Sequence, residues 1–333
     1  MQCIVLGAGA SACAKAPLIG DFQQKAQLVA EAMPDNYGHD GAKVFRETVG
    51  YWTSNFPHLN IEEFYVMAEL QQLLEAPNPV TARPDLGFGD CVQAMIAKTL
   101  AARMKGPPSK HHEQLARVLI ARQATAVTMN WDLSVDNALN RLGASPGLGH
   151  GEAYDMGSGQ RLAGGSPQLL KLHGSLNWWV CDAGHLVVQG SQKSVADAWD
   201  MPKPDCPIGA CSGKRVSLQP LFVPPTSQKM VASKQSAVLK PIWRQASKAL
   251  STSEQVVFVG YSFPATDVQF RTFVQKALLE NRALTGVTIV SDRKFGNAKV
   301  RFEDHYGAVL QPFASRVEVR FEYDGFESWV EKL

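Results

Sequence analysis

Cysteine is scarce in this chain. Six occur in 333 residues, too few for a disulfide scaffold, and no two of them form a C-x-x-C pair. Excess charge of either sign is also missing. Thirty-three Lys and Arg face 31 Asp and Glu, a balance of +2, so no field steers DNA or anionic lipid and no direct nucleic-acid binding is expected. No run of about 18 apolar residues occurs, which leaves nothing to span a membrane. The opening MQCIVLGAGASACAK lacks the basic segment of a secretory signal, and a cytoplasmic protein is expected. What remains, 45% hydrophobic and 19% charged residues, is the mix of a folded chain long enough for one large domain carrying insertions.

Short apolar runs alternate with helical periodicity. Cys3–Leu6 ends in Gly7-Ala8-Gly9-Ala10-Ser11, and helical patterns follow over Gln24–Met33, Ala42–Trp52, Ile61–Glu75 and Cys91–Met104. Asn60 with Glu63 three residues on predicts a capping box at the third helix, and the Pro/Asn/Gly-rich Ala76–Gly89 reads as a loop. Strand Thr125–Met129 runs into Asn130-Trp131-Asp132, with a helix expected over Leu133–Leu142. After the glycine-rich Gly143–Gly165, strand Gln168–Leu172 delivers His173-Gly174-Ser175. From Asn177 to about Pro225 the pattern changes to short strands and loops holding Cys181, Cys206 and Cys211, which marks a small subdomain. Strand–helix alternation then returns. Val256–Val259 leads to Gly260-Tyr261-Ser262 and a helix from about Thr266 to Glu280. Val287–Val290 leads to Ser291-Asp292, a helical stretch, Arg316–Phe321 and a closing helix. Continuous apolar strands alternating with helices predict an α/β fold with a buried, doubly wound parallel sheet.

In such a sheet ligands bind beyond the carboxyl ends of the strands. Small and polar residues gather at five of those ends, Gly7–Ser11, Asn130–Asp132, His173–Ser175, Gly260–Ser262 and Ser291-Asp292, which predicts one crevice. Gly7-Ala8-Gly9-Ala10-Ser11-Ala12 matches the G-x-G-x-x-A dinucleotide fingerprint behind a strand; a tight turn without a ligand has the same sequence. The acidic second strand of a hydride-transfer enzyme is absent, because Gln24–Met33 reads as helix. His173 suits a general base near neutrality or a structural histidine, and Asn130 and Asp132 suit a site or a helix cap.

Together GAGAS at the amino end, TMNWD at Thr128–Asp132, KLHGS at Lys171–Ser175 and GYSF at Gly260–Phe263 resemble the sirtuin (SIR2) family, most closely its bacterial SIR2-like NAD-hydrolase branch, whose members often serve in antiphage defence. The resemblance implies one Rossmann-like SIR2 domain over residues 1–333, interrupted by a helical insertion (24–123) and a small zinc-ribbon-like insertion (177–225). It implies NAD as substrate, with Gly7, Ala8, Gly9 and Ser11 at the pyrophosphate. Pro17 and Asp21-Phe22 resemble a remnant of the P-D-F-R loop over the nicotinamide ribose. Asn130 would hold the ribose or an attacking water, Asp132 the nicotinamide amide, and His173 would act as base. Gly260 and Ser262 would lie at the adenosine ribose, and Ser291 and Asp292 at the adenosine end. A trigger would come from homo-oligomerisation or a separate activating partner protein.

Departures from the deacylating members bear on the reaction. Gln23 replaces the arginine of P-D-F-R, and the two C-x-x-C pairs of their zinc module are missing. Cys181, His185, Cys206 and Cys211 suit a Cys3His structural zinc site or a loop with unliganded thiols. The expected reaction is therefore NAD hydrolysis to ADP-ribose and nicotinamide, with NAD-dependent protein deacylation and non-catalytic NAD or ADP-ribose binding as alternatives. Trp131, Trp178 and Trp179 are expected as pocket wall or core. His111-His112 is expected as a solvated helix start, Cys13 as an inert buried thiol, and Lys203, Lys214 and Arg215 as surface charges.

Overall fold

Cys3-Ile4-Val5-Leu6 offers no polar face to water, and it lies at the centre of a parallel sheet, buried on both sides. The computed structural model describes residues 1–34, 41–190, 194–198, 203–208, 211, 216–223, 234–264, 267–292, 306–313 and 315–333. The expected Thr266 helix start, most of the stretch after Asp292, and Lys214 and Arg215 lie outside these residues. The sheet contains β1 (Gln2–Leu6), β2 (Thr125–Thr128), β4 (Gln168–Lys171), β8 (Gln255–Val259), β9 (Gly286–Val290) and β10 (Glu318–Glu322), in the order β10-β9-β8-β1-β2-β4. Every neighbouring pair is parallel. Register brings Leu6 level with Thr128 and Val259, Thr128 level with Lys171, and Val259 level with Val290. The chain winds one way from β1 to β2 and β4 and the other way to β8, β9 and β10, so the switch point falls between β1 and β8.

Alternate strand residues belong to two different cores. Cys3, Val5, Val127, Leu170, Phe258 and Ile289 pack beneath α7 (Lys234–Thr252) and α8 (Val268–Glu280). Ile4, Leu6, Ala126, Leu169, Val257 and Val259 pack beneath α5 (Lys110–Arg122), α6 (Ser134–Arg141) and the closing helix α9 (Gly325–Glu331). This period-two division is what a sheet covered on both faces requires. Among the described residues no helix is long and apolar enough to cross a membrane.

A third core stands beside the sheet. It joins α1 (Phe22–Ala32), α2 (Gly41–Asn55), α3 (Ile61–Leu73) and α4 (Phe88–Arg103) to the small sheet β3-β6-β5-β7. That sheet comprises β3 (Ala153–Asp155), β5 (Gly174–Val180), β6 (Leu186–Val188) and β7 (Gln219–Phe222). Trp179, Cys181, Val187, Leu218 and Phe222 share this core with Trp52, Phe64 and Met95. The capping box at α3 forms as the spacing predicts. Asn60 Oδ1 accepts from the Glu62 and Glu63 amides at 2.9 and 3.0 Å, and Glu63 Oε2 accepts from the Asn60 amide at 2.9 Å.

Two helices differ from the sequence expectation. α7 falls where no helix was expected, and Pro241 sits inside it. It forms because Leu239, Ile242, Trp243, Ala246 and Leu250 present an apolar stripe to the sheet. α5 begins at Lys110 with Ser109 as its cap, but His111 and His112 are buried rather than solvated. His111 reaches Glu327 and Glu331 of α9 at 3.4 and 3.1 Å, and His112 packs against Phe326 at 5.2 Å between ring centres.

Candidate active site

The turn after β1 closes on the turn after β8. Gly7 N–H donates to Val259 O and Gly9 N–H to Gly260 O, each at 2.9 Å. A Cβ on Gly7 would stand 2.6 Å from Gly260 O, and one on Gly260 would stand 2.3 Å from the Ala10 nitrogen. Gly260 also has φ +62°, so a side chain there would be strained as well as crowded. These glycines let two backbones touch at the switch point, and Ala8–Ala14 then forms a short 3-10 helix.

The loop after β2 is tied into the same place. Asn130 Nδ2 donates to Gly7 O at 2.9 Å and to Ser11 Oγ at 3.1 Å. Ser11 Oγ donates to Asp132 Oδ2 at 2.7 Å, and the Ser134 amide donates to Asp132 Oδ1 at 2.9 Å. Asp132 thus braces the start of α6 and also anchors the Gly7–Ser11 turn. Thr128 Oγ1 accepts from the Asn130 amide and donates to Leu6 O, both at 3.0 Å. Lys171 lies beneath. Its Nζ donates to Asp132 O at 2.5 Å and to Asp136 Oδ2 at 2.9 Å, with its side chain only 1% exposed.

His173 is buried, and its carbonyl accepts from the Val223 amide at 2.8 Å. Gly174 follows at φ +77°, where a Cβ would lie 2.2 Å from Leu221 O. The imidazole faces the Trp243 ring at 6.4 Å, and Trp243 Nε1 donates to Leu172 O at 3.0 Å. Trp131 Nε1 donates to Val223 O at 3.2 Å.

These parts enclose a crevice that is partly open to solvent. Gly7, Ala8, Ser11, Asn130, Trp131, Asp132, His173, Gly260, Tyr261 and Ser262 line it from the strand ends. Ala16, Pro17, Ile19, Phe22, Ile61, Glu62 and Leu100 line it from the helical side. Four of the five strand-end clusters therefore meet in one place. Ser291 and Asp292 are not on this wall. The Ser291 amide donates to Glu322 O and its carbonyl accepts from the Gly325 amide, while Asp292 bridges Asp324. Asp21 is also off the wall, its carboxylate accepting from the Leu18 amide at 2.7 Å. Gly9 supports the loop from behind.

Several wall and support residues carried no expected role. Tyr261 donates its hydroxyl to Asp267 Oδ2 at 2.6 Å, and burial, then the Asp267 charge, holds its pKa far above the ordinary tyrosine value. Lys171 belongs to the KLHGS stretch, but only the fold shows what it ties. Trp243 could have been found from the apolar spacing of α7. Trp178 and Trp179 are core. Cys13 is half-buried, and burial pushes its thiol upward rather than down.

The four residues of the small insertion do converge. Cys181 Sγ, Cys206 Sγ and Cys211 Sγ stand 3.3, 4.0 and 3.4 Å from His185 Nδ1, and all four donor atoms lie within 4.8 Å of one another. Tetrahedral zinc with Zn–S about 2.3 Å and Zn–N about 2.0–2.1 Å requires S···N edges of about 3.6 Å. The cluster has the dimensions and the donor set to hold a metal ion. Burial raises the thiols, Cys206 to about 12 and Cys211 in the same direction, so binding a metal there would release protons.

Two solved structures are similar to the chain: one from work on sirtuin substrate affinity, and one from work on the mechanism and regulation of Sir2 enzymes. The first has 13% identity and a TM-score of 0.41, over 100% of this chain and 92% of that one. The second has 14% identity and a TM-score of 0.39, over 99% and 89%. No curated protein matches the chain in sequence. The SIR2-like domain family matches residues 124–308, more than half of the 333 residues, from the strand before Asn130 to beyond β9. By that match the chain is a member of the SIR2-like domain family.

Proposed function

We propose that the chain hydrolyses NAD at the nicotinamide–ribose bond. Membership of the SIR2-like family supports NAD use. The single observation that carries the reading is the convergence of the Gly7–Ser11 turn, Asn130, Asp132, His173 and the Gly260–Ser262 turn on one crevice. Cleavage expels neutral nicotinamide and builds oxocarbenium-like charge at C1′; water adds there and yields ADP-ribose and one proton. The protein's task is to orient the dinucleotide and supply the acceptor. In this reading the Gly7–Ser11 backbone holds the pyrophosphate, Asn130 orients the water or ribose, Asp132 faces the nicotinamide amide and His173 takes the proton. Gly260 and Ser262 hold the adenosine ribose.

Water is favoured over an acyl-lysine acceptor because Gln23 stands where the family's arginine would be. Its side chain lies beside Trp52 and Pro57 of the helical lobe, away from the crevice. Zinc at Cys181, His185, Cys206 and Cys211 belongs to the same reading as a structural ion, taking no part in the reaction.

The test is incubation with NAD, with and without an acetyl-lysine peptide, beside His173→Ala, with products separated by chromatography. Hydrolysis predicts ADP-ribose and nicotinamide without peptide and at least a hundredfold less in the variant, in line with the loss of a general base. O-acetyl-ADP-ribose formed only with peptide would replace hydrolysis by deacylation. Tight NAD binding with no turnover in either case would indicate a binding module.

A further inference from the structure

Behind the crevice lies a small internal space bordered by Ser11, Asn130, Asp132, Asp136, Lys171 and His112. The first five are already tied to one another or to the sheet. His112 is not part of that network, and it is only 1% exposed. α5 delivers it there, with Ser109 as cap. Ser109 Oγ accepts from the His112 amide at 3.3 Å and stands 2.8 Å from Nδ1. Cys13 Sγ also stands 3.4 Å from Ser109 Oγ and 3.8 Å from Nδ1, and a Ser109 hydroxyl that donates to Nδ1 leaves the ring proton on Nε2. Burial favours the neutral imidazole. Nε2 is buried and makes no well-formed hydrogen bond among the described residues, though the Ala10 backbone of the Gly7–Ser11 turn lies near the ring. A buried N–H without an acceptor is costly enough that a native fold retains it rarely.

We propose that His112 is a positioning residue for the NAD site. Its Nε2–H would hold the underside of the Gly7–Ser11 turn and the Asp132 carboxylate through one water in the space between them. Two to four polar partners are what a buried water needs, and the Ser11, Asp132, Asp136 and His112 side chains supply them. The inference rests on the NAD-binding reading, because only a ligand on the far side of the Gly7–Ser11 turn gives its position a consequence. His112 touches neither the crevice nor His173, so its effect falls on binding rather than on the bond-breaking step.

The experiment compares the full chain with His112→Gln and His112→Leu, measuring NAD affinity by calorimetry, KM and kcat for nicotinamide release, and Tm. Leucine keeps the bulk and removes the donor; glutamine keeps a donor. Expected are an NAD affinity about tenfold weaker and a KM raised to match in His112→Leu, with kcat within about twofold, and recovery to within about threefold of the parent in His112→Gln. Native affinity in the leucine variant overturns the proposal, and so does a glutamine variant as weak as leucine. If His112→Leu does not fold, Ser109→Ala frees Nδ1 instead and is expected to weaken NAD binding; unchanged affinity there also overturns it. Failure of the parent chain to bind NAD would instead remove the functional reading beneath it.

Discussion

Lys171 shows how much one buried charge can organise. Its side chain is 1% exposed and that of Asp136 is 9% exposed, so neither ion is compensated by water if the other is removed. Lys171 also donates to the Asp132 carbonyl, which makes it the floor of the loop that presents Asn130 and Asp132. Lys171→Met should cost about 3–5 kcal/mol in urea unfolding. Adding Asp136→Leu should recover part of that loss, since an apolar pair leaves no stranded charge. A single variant within 1 kcal/mol of the parent would show that the pair is not holding the loop. His112 adds a pH dependence of defined sign. Burial lowers its pKa below the ordinary 6.5, and His150 is shifted the same way for the same reason. The unfolded chain therefore binds protons below about pH 6.5 that the folded chain refuses. Stability should be full above that value and decline as pH falls through it. Melting curves from pH 7.5 to 5.5 should show a smaller decline for His112→Gln; identical slopes would remove His112 as a contributor.

At the level of elements, what the sequence disclosed depended on how local the cause was. The capping box at Asn60 and Glu63, the strands β1, β2, β4, β8 and β9 and the turns beyond them follow from neighbours within a few residues, and the structure places them where the pattern does. α7 was hidden because Pro241 within it argues against a helix, although Leu239, Ile242, Trp243, Ala246 and Leu250 have helical spacing. His111 and His112 looked like a wet helix start because nothing nearby in sequence tells of α9, more than 200 residues on, closing over them. The crevice was legible in four of its five strand-end clusters. The fifth, Ser291-Asp292, is held by Glu322, Asp324 and Gly325, a contact between distant segments that no local pattern encodes. Gly174 belongs to the same class of hidden requirement. Its φ of +77° and the 2.2 Å approach of Leu221 O to a would-be Cβ come from the pairing of β5 with β7. Gly174→Ala should cost more than the roughly 1–2 kcal/mol of the left-handed conformation alone, because the obstacle is backbone, and it should shift His173 with it. Urea unfolding within 0.5 kcal/mol of the parent would show that β7 yields at no cost.

For the whole molecule, the decisive feature is that the small sheet and the helices α1–α4 share one core. Cys181, Cys206 and Cys211 belong to that core, as do Phe22 and Ile61, which also line the crevice. An ion at Cys181, His185, Cys206 and Cys211 would therefore do more than staple a loop. It would fix the end of β5, whose first residue follows His173, against the lobe that forms the helical wall of the site. Metal analysis of the purified protein should give about one zinc per chain for a four-ligand site. Its removal with a strong chelator should lower Tm, because an ion bound only by the folded state adds its binding free energy to stability. Hydrogen exchange should then rise in β5, β6 and α4, while β1, β2 and β8 keep their protection, since those strands rest on the two cores that flank the parallel sheet. NAD affinity should fall in step as the helical wall loosens. Faster exchange spread evenly over both lobes would mean that the chain unfolds as one unit. Full protection in a metal-free protein would mean that the thiols and the imidazole sit together without needing an ion.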